Sequence, residues 1–267
     1  MKLRARRKGL ALISGFLFSL LQGRLLAQGE QNSDPAAPPP TPPTAKAAAP
    51  EDITGQWMSL VTEDWGYRMI MPLKGDYKGV PLNPAGKKAA DAWDPAKPDP
   101  AEDACKAYGV GGVMRMPGRI RISWVDADTL KVETDAGMQT RMLYFNEPKS
   151  QGGDWQGVSR ATWESVGGGA FQGNGGPGLA PRLSGSLKVV TTKMKAGYLR
   201  KNGVPYSANA VITEFYDRTS EPNGESLLVV TTIVDDPEYL LQQFITSSHF
   251  TKQNDQSGWN ATPCSAK

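Results

Sequence analysis

Histidine is nearly absent from this 267-residue chain, His249 being the single one, and cysteine is limited to Cys105 and Cys264. One imidazole cannot build a His-rich metal site or a histidine pair, and two thiols with only His249 to join them argue against a metal site. No Gly-x-Ser-x-Gly elbow exists to carry the nucleophile of a Ser-His-Asp hydrolase. His249 itself lies in an alternating stretch, Phe244 to Lys252, where its ordinary place is a sheet strand. Gly173 to Gly178 formally matches G-x-G-x-x-G, but Pro177 stands where a helix should begin, and Leu179-Ala180-Pro181 follows. That fingerprint works only between a strand and a helix N-terminus, so nucleotide binding is rejected and no cofactor is expected. A bilayer-spanning run is missing too: the apolar run from Gly9 to Leu21 is about thirteen residues long, against the ~20 a membrane helix needs.

What is present begins with export. Lys2, Arg4, Arg6, Arg7 and Lys8 precede that short apolar run, and Leu25-Leu26-Ala27 offers a small residue at which to cut. The order reads as a signal peptide over residues 1–27 and predicts a periplasmic or extracellular product with no transmembrane segment in the mature chain. Arg6-Arg7 leaves the general secretory and twin-arginine routes both open. The leader carries six of the 30 basic residues and none of the 27 acidic ones, so its removal turns a formal charge of +3 into −3. The mature chain has no excess of positive charge for nucleic acid, and no nucleic-acid partner is expected.

Residues 28–50 are rich in proline and alanine and hold no large apolar side chain, so they read as a disordered, semi-rigid tether. Residues 51–267 form one domain rich in strands. Ile120, Ile122 and Trp124 alternate onto one face, and turn signals at Asp126-Ala127-Asp128 and Asp135-Ala136-Gly137 mark two successive hairpins. Further strands are predicted over 159–164, 186–193, 210–216, 226–234 and 244–252, with Glu221-Pro222-Asn223-Gly224 as a turn. One short helix is predicted near residues 84–93, capped by Asn83 and stopped by Asp94-Pro95. The expected class is all-β, an antiparallel meander closing into a barrel, with a β-sandwich as the alternative.

In an exported chain an even pair of cysteines is expected to close a bridge, Cys105 to Cys264. Candidate ligand-binding residues cluster at predicted strand ends. They are Glu63, Asp64, Trp65, Tyr67 and Arg68 after a first strand predicted over Gly55 to Thr62, then Arg160, Trp163 and Glu164, then Tyr198, Arg200 and Tyr206, with Trp57 and Glu214 inside strands. Aromatic faces bury a small ligand and the charges orient it, although the same groups also pin strand ends together.

Two resemblances follow from these residues. Gly55-x-Trp57 resembles the opening of lipocalin-like barrels. A longer ordered set also stands out: Cys105, Thr134-Asp135-x-Gly137, Trp163-Glu164, Gly197-Tyr198-Leu199-Arg200-x-Asn202-Gly203-x-Pro205-Tyr206-Ser207, Thr213-Glu214-x-x-Asp217-Arg218 and Asp235-Asp236-Pro237-x-Tyr239. It resembles an uncharacterised group of exported bacterial proteins and implies an exported β domain without naming a reaction. The leading expectation is a noncatalytic domain that binds a small apolar or aromatic ligand or serves the cell envelope. The alternative is a hydrolase or lyase acting on a polar extracellular substrate through Glu63, Asp64, Glu164 or Glu214.

Overall fold

The structure, a computed structural model, describes residues 42–97, 99–165 and 185–265. The expected signal peptide and the glycine-rich stretch 167–178 lie outside them. In chain order the strands are β1 (Gly55–Leu60), β2 (Arg119–Asp126), β3 (Thr129–Thr134), β4 (Ala136–Gly137), β5 (Thr140–Tyr144), β6 (Val158–Ser165), β7 (Gly185–Thr192), β8 (Gly197–Arg200), β9 (Val204–Tyr206), β10 (Val211–Ser220), β11 (Ser226–Asp235), β12 (Phe244–Lys252) and β13 (Thr262–Pro263). The helices are α1 (Trp65–Arg68) and α2 (Pro84–Ala92).

Nine strands close a barrel in the order β1-β12-β11-β10-β7-β6-β5-β3-β2, so the chain is all-β and the sandwich alternative falls away. Strands that reverse at every neighbour can close a ring only in even number. Nine strands therefore force one parallel pair, and it is β5 with β6. A parallel pair needs a crossover of about a dozen residues or more, and residues 145–157 supply it.

Alternation along each strand decides what faces inward. In β7, Leu187, Val189 and Thr191 are buried while Lys188 and Val190 are not, and β10 turns Ile212, Glu214 and Tyr216 inward. Trp57 of β1, opposite Lys252 and Ile120, is fully buried and donates its indole N–H to the Ile53 carbonyl at 2.9 Å. Each large apolar side chain buried in this way contributes about 1.5–3 kcal/mol. The barrel interior is filled by Trp57, Leu130, Leu143, Leu187, Tyr216 and Phe250 with their neighbours.

The strand directions bring the ends of β1, β3, β7 and β11 and the starts of β2, β5, β6, β10 and β12 to one mouth. A second apolar cluster caps it. Val80, Leu82, Ala90, Leu199, Val204 and Tyr206 pack there on Ile212, Val234 and Phe244. Within the cap, α2 starts as the sequence predicts: the Asn83 side chain accepts from the Gly86 N–H at 2.8 Å, and Pro84 occupies the first turn. β8 and β9 form a hairpin in which Gly203 has φ +80°, and a Cβ there would meet Trp93 at 2.3 Å, so only glycine fits.

Cys105 and Cys264 are bridged, with Cα atoms 5.1 Å apart, joining the tail to the segment that follows α2. Just before the bridge, β13 pairs in parallel with β4.

At the opposite mouth, Phe145 stacks between Trp124 and Trp163 at centroid distances of 5.7 and 5.4 Å. Residues 44–50 differ from the tether expected there. Trp163 Nε1 donates to the Ala45 carbonyl at 2.8 Å, Ala45 N–H donates to Asp128 Oδ1 at 2.7 Å, and Lys46 N–H donates to the Ala127 carbonyl at 2.9 Å. The expected boundary at residue 50 thus falls inside a segment bound to the barrel. Composition alone misses such docking because the backbone makes these bonds, whatever its side chains.

Candidate functional site

Three buried arginines meet beside the capped mouth. Arg68 closes α1, Arg115 ends the single turn Val113–Arg115, and Arg200 ends β8. Asp64 makes the approach possible. Its backbone sits in the left-handed region at φ 49°, a conformation aspartate tolerates better than most residues, and this folds the chain sharply from β1 into α1. The short helix then sets Glu63, Asp64, Tyr67 and Arg68 around one corner.

The partners of the three guanidinium groups differ. Arg68 pairs with Glu63 through Nη1, donates to Ser59 Oγ at 3.1 Å and donates to the Arg115 carbonyl at 2.9 Å. Arg115 Nη2 pairs with Asp64 Oδ2 at 3.2 Å, while its buried Nη1 has no hydrogen-bond partner among the described residues. Arg200 donates to the Lys78 carbonyl at 2.8 Å and lies 4.0 Å from the Tyr67 ring centroid. Among the described residues it makes no ion pair, and its buried Nε is without a hydrogen-bond partner. Asp64 and Asp76 act on Arg200 at longer range, and burial together with the repulsion of Arg115 holds its guanidinium below the ordinary value. Burial acts on Arg68 in the same direction, opposed by Glu63.

These side chains border a cavity of about 270 Å³ whose remaining wall is Met69, Ile70, Met71, Met116 and Leu199, with Gly112 and Lys201. That is just below the ~300–1,000 Å³ usual for ligand sites, so an occupant would be small or would project outward. The rim is unusually apolar for a surface: Met69 and Ile70, which line it, are more than half exposed, as are Trp65 and Leu73 in the same segment of chain. Methionines suit such a rim because their unbranched chains adapt to irregular shapes.

Of the residues predicted from sequence, Glu63, Asp64, Tyr67, Arg68 and Arg200 come together here, with Trp65 exposed nearby. The others lie elsewhere. Trp57 is barrel core, and Tyr206 is buried in the cap. Arg160 pairs with Glu147 at 2.9 Å and Glu164 with Lys188 at 2.8 Å, both on the outer wall. Trp163 sits at the far mouth, and Tyr198 donates to Asp99 at 3.1 Å beside Lys106. Glu214 is enclosed in the barrel with Arg141. The four carboxylates named for hydrolysis therefore occupy three separate places, and the two at the cap are each held by an arginine.

His249 lies on the outward face of β12, with Nδ1 3.4 Å from Glu63 Oε2 and 3.0 Å from Thr62 Oγ1. No group of three or more His, Cys, Asp or Glu side chains among the described residues is placed to hold a metal ion. No helix among them is long and apolar enough to cross a membrane.

Sequence reasoning missed Arg115 and the methionine rim, because a single-turn helix and an irregular loop carry no periodic signal. Arg141 was findable: it alternates in phase with Leu143, as Glu214 does with Ile212 and Tyr216, and two opposite charges on inward faces point to a buried pair. No protein-family model, no curated protein and no solved structure matches the chain. Any reading of the site rests on its own geometry.

Proposed function

We propose that the chain is an exported, noncatalytic binding domain that takes a small ligand with an apolar or aromatic body in the cavity beside the capped mouth. The observation that carries this reading is the joining of an apolar wall, Met69, Ile70, Met71, Met116 and Leu199, to the aromatic face of Tyr67 around one recess. The filled barrel interior directs binding to this recess, since no side chain there need move aside to admit a guest. Export is supported by the order of charged and apolar residues at the N-terminus and agrees with the Cys105 to Cys264 bridge.

Two measurements test the proposal. N-terminal sequencing of the secreted protein should begin near residue 28; an intact Met1 removes the export half. A neutral naphthylamine dye that brightens in apolar surroundings should bind saturably, and Met116→Lys should weaken that binding about tenfold or more by placing a charge in the wall. Non-saturable fluorescence, or equal binding by the variant, removes the ligand half.

A further inference from the structure

We infer that the ligand of this cavity is an organic anion, its carboxylate or phosphate group seated against Arg200 and Arg115 and its apolar body against the methionine rim. The inference rests on the binding-site reading above and adds the ligand's charge.

The argument is one of compensation. Arg68, Arg115 and Arg200 bring three positive charges to one wall, Lys201 borders the same space, and Glu63 and Asp64 return two negative ones. The two acids are committed to Arg68 and Arg115, and Asp76 acts on Arg200 only at longer range. Arg200 is only 4% exposed, and the Lys78 carbonyl, the Tyr67 face and, at 6.0 Å, the Phe244 ring are what hold it. A buried charge without a close counter-ion is costly unless something opposite in sign approaches it. The guanidinium is also the side chain best matched to planar, two-pronged oxyanions.

Two donors sharpen the point. Arg115 Nη1 and Arg200 Nε are buried and unpartnered, and they belong to the two arginines that border the cavity together. Among the described residues Arg119, Arg141 and Arg218 also carry an unpartnered Nε, so it is the pairing of two such donors at one recess, rather than either alone, that fits a site completed by an acceptor. The exposed Met69 and Ile70 then give the rest of the molecule an apolar place to lie.

Calorimetric titration of the full mature protein with octanoate, octyl phosphate, octanol and inorganic phosphate tests this directly. Octanoate or octyl phosphate should bind at least about tenfold more tightly than octanol, and that advantage should shrink as salt is added, since screening weakens charge pairing. Arg200→Gln should bring octanoate down toward octanol, with Arg200→Lys recovering part of the difference. Equal binding of octanol and octanoate overturns the charge inference and leaves the apolar site standing. Inorganic phosphate binding as tightly as octyl phosphate keeps the anion and overturns the apolar body. Absence of binding by all four overturns both. The salt series on the unaltered protein decides the matter even if the Arg200 variants fold poorly.

Discussion

Arg141 of β5 and Glu214 of β10 meet inside the barrel through two N–H···O bonds of 2.9 and 2.5 Å, with side-chain exposures of 1% and 0%. Thr191 and the Tyr216 hydroxyl stand at 3.4 Å from the same guanidinium, and Ser159 and Thr191 share a hydrogen bond of 2.8 Å. Burial works against the charge on Arg141, but Glu214 and Tyr216 more than reverse this, so the guanidinium stays charged.

Breaking this pair should be worse than deleting it. Glu214→Gln leaves a guanidinium sealed in the core and should cost about 3–5 kcal/mol, whereas the double replacement Arg141→Met with Glu214→Leu should come roughly back toward the original stability. Urea unfolding of Arg141→Met, Glu214→Leu and the double forms the cycle that checks it, with Glu214→Gln as the isosteric control. Additive losses would mean that the two groups do not act as a pair.

How far the fold could be read in the sequence varied with the kind of signal. The barrel strands were legible because inward and outward residues alternate, as at Ile120, Ile122 and Trp124, and because Asn83-Pro84 announces α2. The parallel contact of β5 and β6 was not legible, since parity is a property of the closed ring and of no single segment. At the site, Glu63 to Arg68 were visible as one run of charged and aromatic residues. Arg200 joins them only because the β8–β9 hairpin folds over the mouth, and Arg115 only because its turn lies beneath α1. Trp163 and Glu164 form a similar run, yet they end β6 at the opposite mouth, a difference set by strand direction, and Arg160 faces the outer wall.

Alkaline pH should weaken the fold through its tyrosines. An unfolded tyrosine ionises near pH 10, at about the value of a free side chain. Burial raises Tyr206 and, with the nearby Glu214, Tyr216; burial and Asp99 push Tyr198 up to about 12. The folded chain therefore holds these protons more tightly than the unfolded chain does. The stability they contribute is fully present below about pH 10 and is lost as pH rises through the folded values. The guanidinium unfolding midpoint should hold steady between pH 7 and 9 and fall above 10, and Tyr198→Phe should make the fall shallower. Phenolate absorbance in the folded state should report fewer ionised groups at a given pH than after unfolding. Identical titrations before and after unfolding would contradict the burial argument.

The docked segment 44–50 should be separable from the barrel by one atom. Trp163→Phe keeps an aromatic ring against Phe145 but removes the N–H that reaches the Ala45 carbonyl, a loss of about 0.5–1.5 kcal/mol for a hydrogen bond of this kind. Asp128→Ala takes away the acceptor of the Ala45 N–H and should act at the same place. The two bonds hold one stretch of backbone, so once either is lost the other has less to hold, and the double variant should lose less than the sum of the singles. Limited proteolysis is the sharper readout, because cleavage follows local opening rather than global stability when the barrel itself stays closed. Lys46 offers trypsin a site inside the docked turn, and its N–H is bound to the Ala127 carbonyl. Cutting there should be slow in the unaltered protein and several-fold faster in either variant, while cuts within the barrel stay unchanged. Equal rates at Lys46 in all three proteins would show that these bonds do not secure the segment, and that its contacts with the barrel wall around Gly185 and Pro50 hold it instead.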